Sequence, residues 1–134
     1  MTTAAPTRLG SETTTRGFRV GVEPQYEAAH SDPDDRRFVF SYRIRIVNES
    51  DAPATLIARR WVIVDADGDR HDVEGEGVVG RRPRLEPGTS HEYTSFCPLR
   101  TSWGTMEGSY SMISDDGEEF TIVVGRFYLA ARDD

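Results

Sequence analysis

The sequence has only one cysteine, Cys97, so no intramolecular disulfide can form and nothing points to an oxidising compartment. It has no run approaching the roughly 18 uncharged apolar residues that cross a bilayer as a helix, which argues against a helical transporter. It also has no surplus of positive charge. The formal net charge is −7, which repels phosphate backbones at long range and argues against broad nucleic-acid binding. The first sixteen residues hold six threonines and lack the apolar centre of a secretory signal. They read as a disordered tail over 1–16 ahead of one domain over 17–131, with the cytoplasm as the default location. A chain of 134 residues suits a single domain able to bury a sizeable core without staples.

Apolar residues recur at every second position, the spacing that lines one face of a pleated strand. Phe18, Val20 and Val22 oppose Arg19, Gly21 and Glu23. Phe38, Phe40, Tyr42, Ile44 and Ile46 give the strongest alternation. A third strand runs from about Thr55 to Asp65, where adjacent Arg59 and Arg60 suggest a bulge. Asp67-Gly68 turns the chain into a short fourth strand over Arg70 to Glu74. Pro87-Gly88 introduces a fifth from His91 to Cys97, which Pro98 should end. Met106 to Met112 forms the sixth. Asp115-Asp116-Gly117 makes a hairpin into the seventh, from Phe120 towards Leu129. Seven short strands without an internal repeat predict an all-β fold, an immunoglobulin or fibronectin type III-like sandwich of antiparallel sheets.

Gly75, Gly77 and Gly80 spell the G-x-G-x-x-G of dinucleotide sites, yet Pro83 and Pro87 leave no room for the helix whose N-terminus would hold a pyrophosphate. The plain alternative is a tight loop between strands. A narrower functional reading keeps the loop as an anion nest or partner contact, because Arg81, Arg82 and Arg84 follow it and arginine forks suit phosphate and carboxylate. Asp65, Asp67 and Asp69, with Glu76 further on, imitate a calcium loop. Arg70 stands where that loop needs glycine, so a hairpin turn with exposed carboxylates is the better account. His30, Asp32, Asp34 and Asp35 read as an acidic loop rather than a metal set. Cys97 has no nearby partner base, and His71 and His91 fit the period-two pattern as ordinary strand residues. No catalytic constellation emerges.

The segments Gly75–Gly80 and Pro83–Gly88, together with Arg59-Arg60-Trp61, Tyr93-Thr94-Ser95, Gly104–Met112 and Phe127-Tyr128-Leu129, resemble the ApaG family in order and spacing over about Phe18 to Ala130. Gly125 departs from the pattern, where the family usually has proline. The resemblance implies a fibronectin type III-like fold, a genetic link to cobalt and magnesium tolerance and to diadenosine tetraphosphate metabolism, and no established catalysis. The expectation is a non-catalytic module without a cofactor, binding a protein or a small anionic ligand through Gly75, Gly77, Gly80, Arg81, Arg82 and Arg84. Two other readings stand beside it: a pyrophosphate or nucleotide sensor or hydrolase using the Gly75–Gly80 loop, and a protein that binds divalent metal directly. Exposed edge strands also make a homodimer plausible.

Overall fold

The computed structural model describes residues 9–131 and contains two antiparallel sheets packed face to face. The first has the order β1 (Ser11–Thr15), β2 (Phe18–Tyr26), β3 (Phe38–Asn48), β7 (Ser90–Leu99). The second has the order β5 (Arg70–Glu76), β4 (Ala54–Asp65), β8 (Trp103–Ser114), β9 (Glu119–Ala130), and the two-residue β6 (Arg84–Leu85) also pairs with β4. Two 310 turns, at Ala28–His30 and Pro33–Asp35, fill the loop between β2 and β3. The sandwich architecture matches the alternation of the sequence. The inward residues of both sheets, among them Val20, Phe40, Ile44, Leu56, Met112 and Leu129, form one core.

Trp61 is the hub of that core. Tyr42, Tyr110 and Phe127 meet it edge-on, with ring centroids 5.6, 6.1 and 5.9 Å away, the arrangement aromatic quadrupoles favour. Among the described residues one amide side chain is fully buried. Asn48 donates to the carbonyls of Ala52 and Leu85, each at 2.9 Å, and accepts from the backbone N–H of Ser50 at 2.9 Å. With its bonding capacity used, it ties the end of β3 to the turn before β4 and to β6.

Three expectations are corrected. The tail over 1–16 is not wholly irregular. Residues 1–8 lie outside the described residues, but Ser11–Thr15 is a strand, paired with β2 from Ser11↔Val22 to Thr15↔Phe18. The connection is a two-residue turn in which Arg16 and Gly17 both have positive φ (51° and 83°), the twist that a tight hairpin needs. With the two-residue β6, this strand raises the number among the described residues from seven to nine. Second, Pro98 does not end β7 but pairs opposite Val39 inside it. Proline is tolerated there because β7 is the edge of its sheet, where a missing N–H can fall on the unpaired side. Third, the irregularity in β4 lies between Leu56 and Ala58, ahead of the arginines. The extra residue, Ile57, shifts the alternation by one, so Arg59, Trp61 and Ile63 turn inward while Arg60 faces solvent.

The two long sides of the sandwich differ. On one, β1 and β9 lie against each other. Ser11 Oγ donates to the carbonyl of Gly125 at 2.8 Å, Tyr128 N–H to the carbonyl of Leu9 at 2.7 Å, and Val123 N–H to Thr15 Oγ1 at 3.1 Å. A side chain at Gly125 would come within 2.4 Å of Thr13 Oγ1, so the glycine makes room for β1. On the other side β5 and β7 end their sheets without pairing to each other.

Candidate binding site

The open side holds a cleft of about 440 Å³ whose walls include Tyr42, Trp61, Ile63, Val73, Cys97 and Met106, with Arg59 among them. That volume falls within the usual range for small-molecule and cofactor sites, which are largely apolar with a few polar groups. Opposed residues on paired strands share a face, so Arg59↔Gly75, Trp61↔Val73 and Ile63↔His71 place β5 residues over the same interior.

Arg59 connects the cleft to the glycine segment. A Cβ on Gly75 would lie 2.7 Å from Arg59 Nη2, so the guanidinium occupies the space a side chain would need. Lying across Gly75, Arg59 Nη1 donates to the carbonyls of Glu76 (3.0 Å) and Gly77 (2.9 Å). No carboxylate lies within ion-pair distance of it among the described residues. Its outward neighbour Arg60 faces Asp72 and Glu74 at 3.7 and 3.8 Å.

The glycine segment forms a compact turn. Gly77 N–H donates to the carbonyl of Ile57, while Val78 and Arg81 exchange N–H···O bonds of 2.8 and 3.0 Å around Val79 and Gly80. Gly77 has φ +62°, and a Cβ there would come within 2.2 Å of the Arg81 carbonyl. The amides of Gly77, Val78 and Arg81 therefore bond to protein carbonyls rather than converging on an anion. Val79 takes φ +48° although it is β-branched, and it is 61% exposed. That is a strained conformation for such a residue.

The three arginines predicted for the loop do not gather. Arg82 pairs with Glu76 at 2.8 Å. Arg84 is held between Asp115 and Glu86. Arg81 makes no ion pair among the described residues, and its charge, after burial, is the second cause that lowers the pKa of His91. The sequence reading missed Arg59 as a wall of the cleft. Its adjacency to Arg60 was visible, but which of the two turns inward depends on the position of the extra residue.

Burial disfavours the charged form of the thiol and the phenols on the open side. It pushes the Cys97 thiol up to about 11, which keeps it protonated and a poor nucleophile at neutral pH. His91 lies six residues along β7, roughly 20 Å at strand spacing. Burial also raises Tyr42, Tyr93 and Tyr110, and the hydroxyls of the last two are hydrogen-bonded to each other. Among the described residues the one set of carboxylates close enough to share a cation is Asp65, Asp67 and Asp69. Asp65 Oδ1 accepts the N–H groups of Asp67 (2.9 Å) and Asp69 (3.0 Å), so its carboxylate builds the turn. His30, Asp32, Asp34 and Asp35 do not converge in this way.

These features define an immunoglobulin-like or fibronectin type III-like sandwich, closed along one side and carrying a largely apolar cleft along the other. The ApaG domain model matches residues 28–114. Protein ApaG of Anaeromyxobacter dehalogenans (strain 2CP-C) is 48% identical over 119 residues, covering 89% of this chain and 94% of that protein. Protein ApaG of Brucella abortus (strain 2308) is 47% identical over 115 residues, covering 86% and 88%. The crystal structure of a Bordetella pertussis protein described as ApaA superposes with a TM-score of 0.82 at 42% identity, covering 84% of this chain and 92% of that one. The C-terminal domain of wzt, at 9% identity and a TM-score of 0.54, shares the fold alone. The chain belongs to the ApaG family.

Proposed function

We propose that the protein is a non-catalytic binding module whose site is the open-side cleft, with the Gly75–Gly80 turn and Arg81 at its Arg59 end. The observation that carries this reading is Arg59: a half-buried cation on an apolar wall, anchored by two carbonyls and without a carboxylate partner among the described residues. A buried charge favours an opposite one. The acids beside it keep their protons at neutral pH, which suits recognition better than proton transfer or nucleophilic attack. The ligand is a protein segment or a small anion with an apolar part, met in the cytoplasm. The links to cobalt and magnesium tolerance and to diadenosine tetraphosphate metabolism that the family resemblance implies would then be indirect results of that binding.

The test is a fluorine-detected screen of small acids, neutral compounds and amines against the 15N-labelled protein. Acids should be over-represented among the hits and should shift the amides of Val73, Ser95 and Cys97. Hits without preference for charge, or shifts confined to other faces, would refute the reading. Calorimetry with pyrophosphate, ATP and diadenosine tetraphosphate, with and without magnesium, tests the nucleotide alternative, and heats equal to buffer dilution eliminate it. Equilibrium dialysis against cobalt or magnesium does the same for direct metal binding, where a folded sample retaining no more ion than an unfolded one removes it.

A further inference from the structure

We infer that the cleft receives an extended peptide that adds to the free edge of β7 as a further strand, with alternate apolar side chains pointing inward and one carboxylate reaching Arg59. This rests on the cleft being the binding site and specifies its occupant.

The two edges flanking the cleft differ in chemistry. β5 carries Arg70, Asp72, Glu74 and Glu76 in seven residues, the charge that blunts a sheet edge against further pairing. β7 carries no charge from Tyr93 to Leu99. Its outer face shows Phe96, 58% exposed, beside a cleft whose inner wall includes Cys97. A strand added to that edge would meet main-chain groups that no other strand uses among the described residues, short of the one donor that Pro98 lacks. Its side chains would fall alternately on the two faces, inward over Trp61 and Cys97 and outward against Phe96. Backbone pairing supplies affinity in this mode, and the pockets for alternate side chains supply selectivity.

Charge sets the direction. Tyr42 lies opposite Ser95 on β7 and packs edge-on against Trp61. The Leu99 side chain and the Val64 carbonyl meet around Gly104, so the end of β4 lies at the Leu99 end of β7, and Arg59, five residues before Val64, lies towards Tyr93. Arg59 therefore marks the Tyr93 end of the edge, and the apolar residues of the cleft lie towards Leu99. A peptide antiparallel to β7 would present its apolar side chains first and its acid two or four residues later.

The experiment is selection of a random heptapeptide phage library on the full 134-residue chain, followed by calorimetry and amide exchange with the synthetic consensus peptide. Alternating apolar residues with one Asp or Glu should emerge, and binding should slow exchange along β7. Changing that acid to Lys should weaken binding about tenfold or more, and Arg59→Glu should restore it, because the pair is half-buried and reversal recreates it. Phe96→Lys, at an exposed position, should also weaken binding. Should Arg59→Glu fail to fold, Arg59→Gln keeps a donor for the two carbonyls and should lose the preference for acid. No consensus, unchanged β7 exchange, or equal affinity for both charge forms of the peptide would overturn strand addition. If small acids still bound the cleft, the broader reading would survive. A concentration-dependent dimer dissolved by Phe96→Lys would instead assign the edge to a second copy of this chain.

Discussion

Along one side of the sandwich β1 lies on β9, fastened by Ser11, Thr15 and main-chain groups. Along the other, β5 and β7 stand apart over aromatic rings and a thiol. The closed side is polar and uses hydroxyls that do not titrate. The open side is largely apolar, and burial keeps its thiol and phenols in the neutral form beside the one cation Arg59. Closure thus depends on directional hydrogen bonds that a small side chain can make, whereas the gap is kept by the lack of such partners between β5 and β7. The contrast can be broken by pH or by substitution on either side.

The largest effect should come from alkali acting on the open side. Cys97, Tyr42, Tyr93 and Tyr110 are all raised in the fold by burial. The folded protein therefore retains protons that the unfolded chain has released. Stability should be full below about pH 9, the ordinary value for the thiol, and should fall through pH 11 by about 1.4 kcal/mol per pH unit for each proton retained. Urea unfolding at pH 8, 9.5 and 10.5 measures the slope, and Cys97→Ala should flatten its lower part. Equal stability at all three values would contradict the burial of these groups.

Next in size is Gly125→Val on the closed side. Its side chain would enter the space of Thr13 Oγ1, and the overpacking should cost about 2 kcal/mol. Amide exchange in Ser11–Thr15 should accelerate while β7 exchange stays unchanged. Val79→Asn, in the turn at the end of the open side, should act in the opposite direction. Relieving a β-branched residue at positive φ should stabilise by about 1 kcal/mol, visible as a higher urea midpoint at constant slope. Ser11→Ala should lose about 1 kcal/mol, the usual worth of one hydrogen bond. The smallest change is expected from Phe96→Ala, within about 0.5 kcal/mol because the ring is already exposed. A large loss there would mean that the ring supports the fold rather than awaiting a partner.

The strands that alternate apolar with polar residues were legible because one of their faces is buried. β3 and β9 are the clearest, with Ile44, Ile46, Ile122 and Val124 inside and Arg43, Arg45, Thr121 and Val123 outside. β1 was not, since Ser11, Thr13 and Thr15 face β9 through hydroxyls and leave no apolar signal. Pro98 misled because a proline that ends a central strand is admissible on an edge, and edge status follows from topology. The glycines of 75–80 were legible as a turn. The cleft was not, because it arises where the edges of two sheets fail to meet, and no local pattern in β5 or β7 records which strand lies across from them. Arg59 shares this difficulty: the pairing with Gly75 that gives it room joins residues sixteen apart.

All sixteen basic residues of the chain are arginines, and two adjacent ones meet opposite fates because β4 has one residue more than its partner β8 requires. Loss of Ile57 alone would return the strand to strict alternation. Arg59, Trp61 and Ile63 would keep their inward positions, because Leu56 and Ala58 already face the consecutive residues Met112 and Ser111 of β8. A codon lost beyond that point, at Arg60, would instead move Trp61 to the outward parity and take the ring that joins three others out of the core, so deletions in β4 should be tolerated at its extra residue and far less after it.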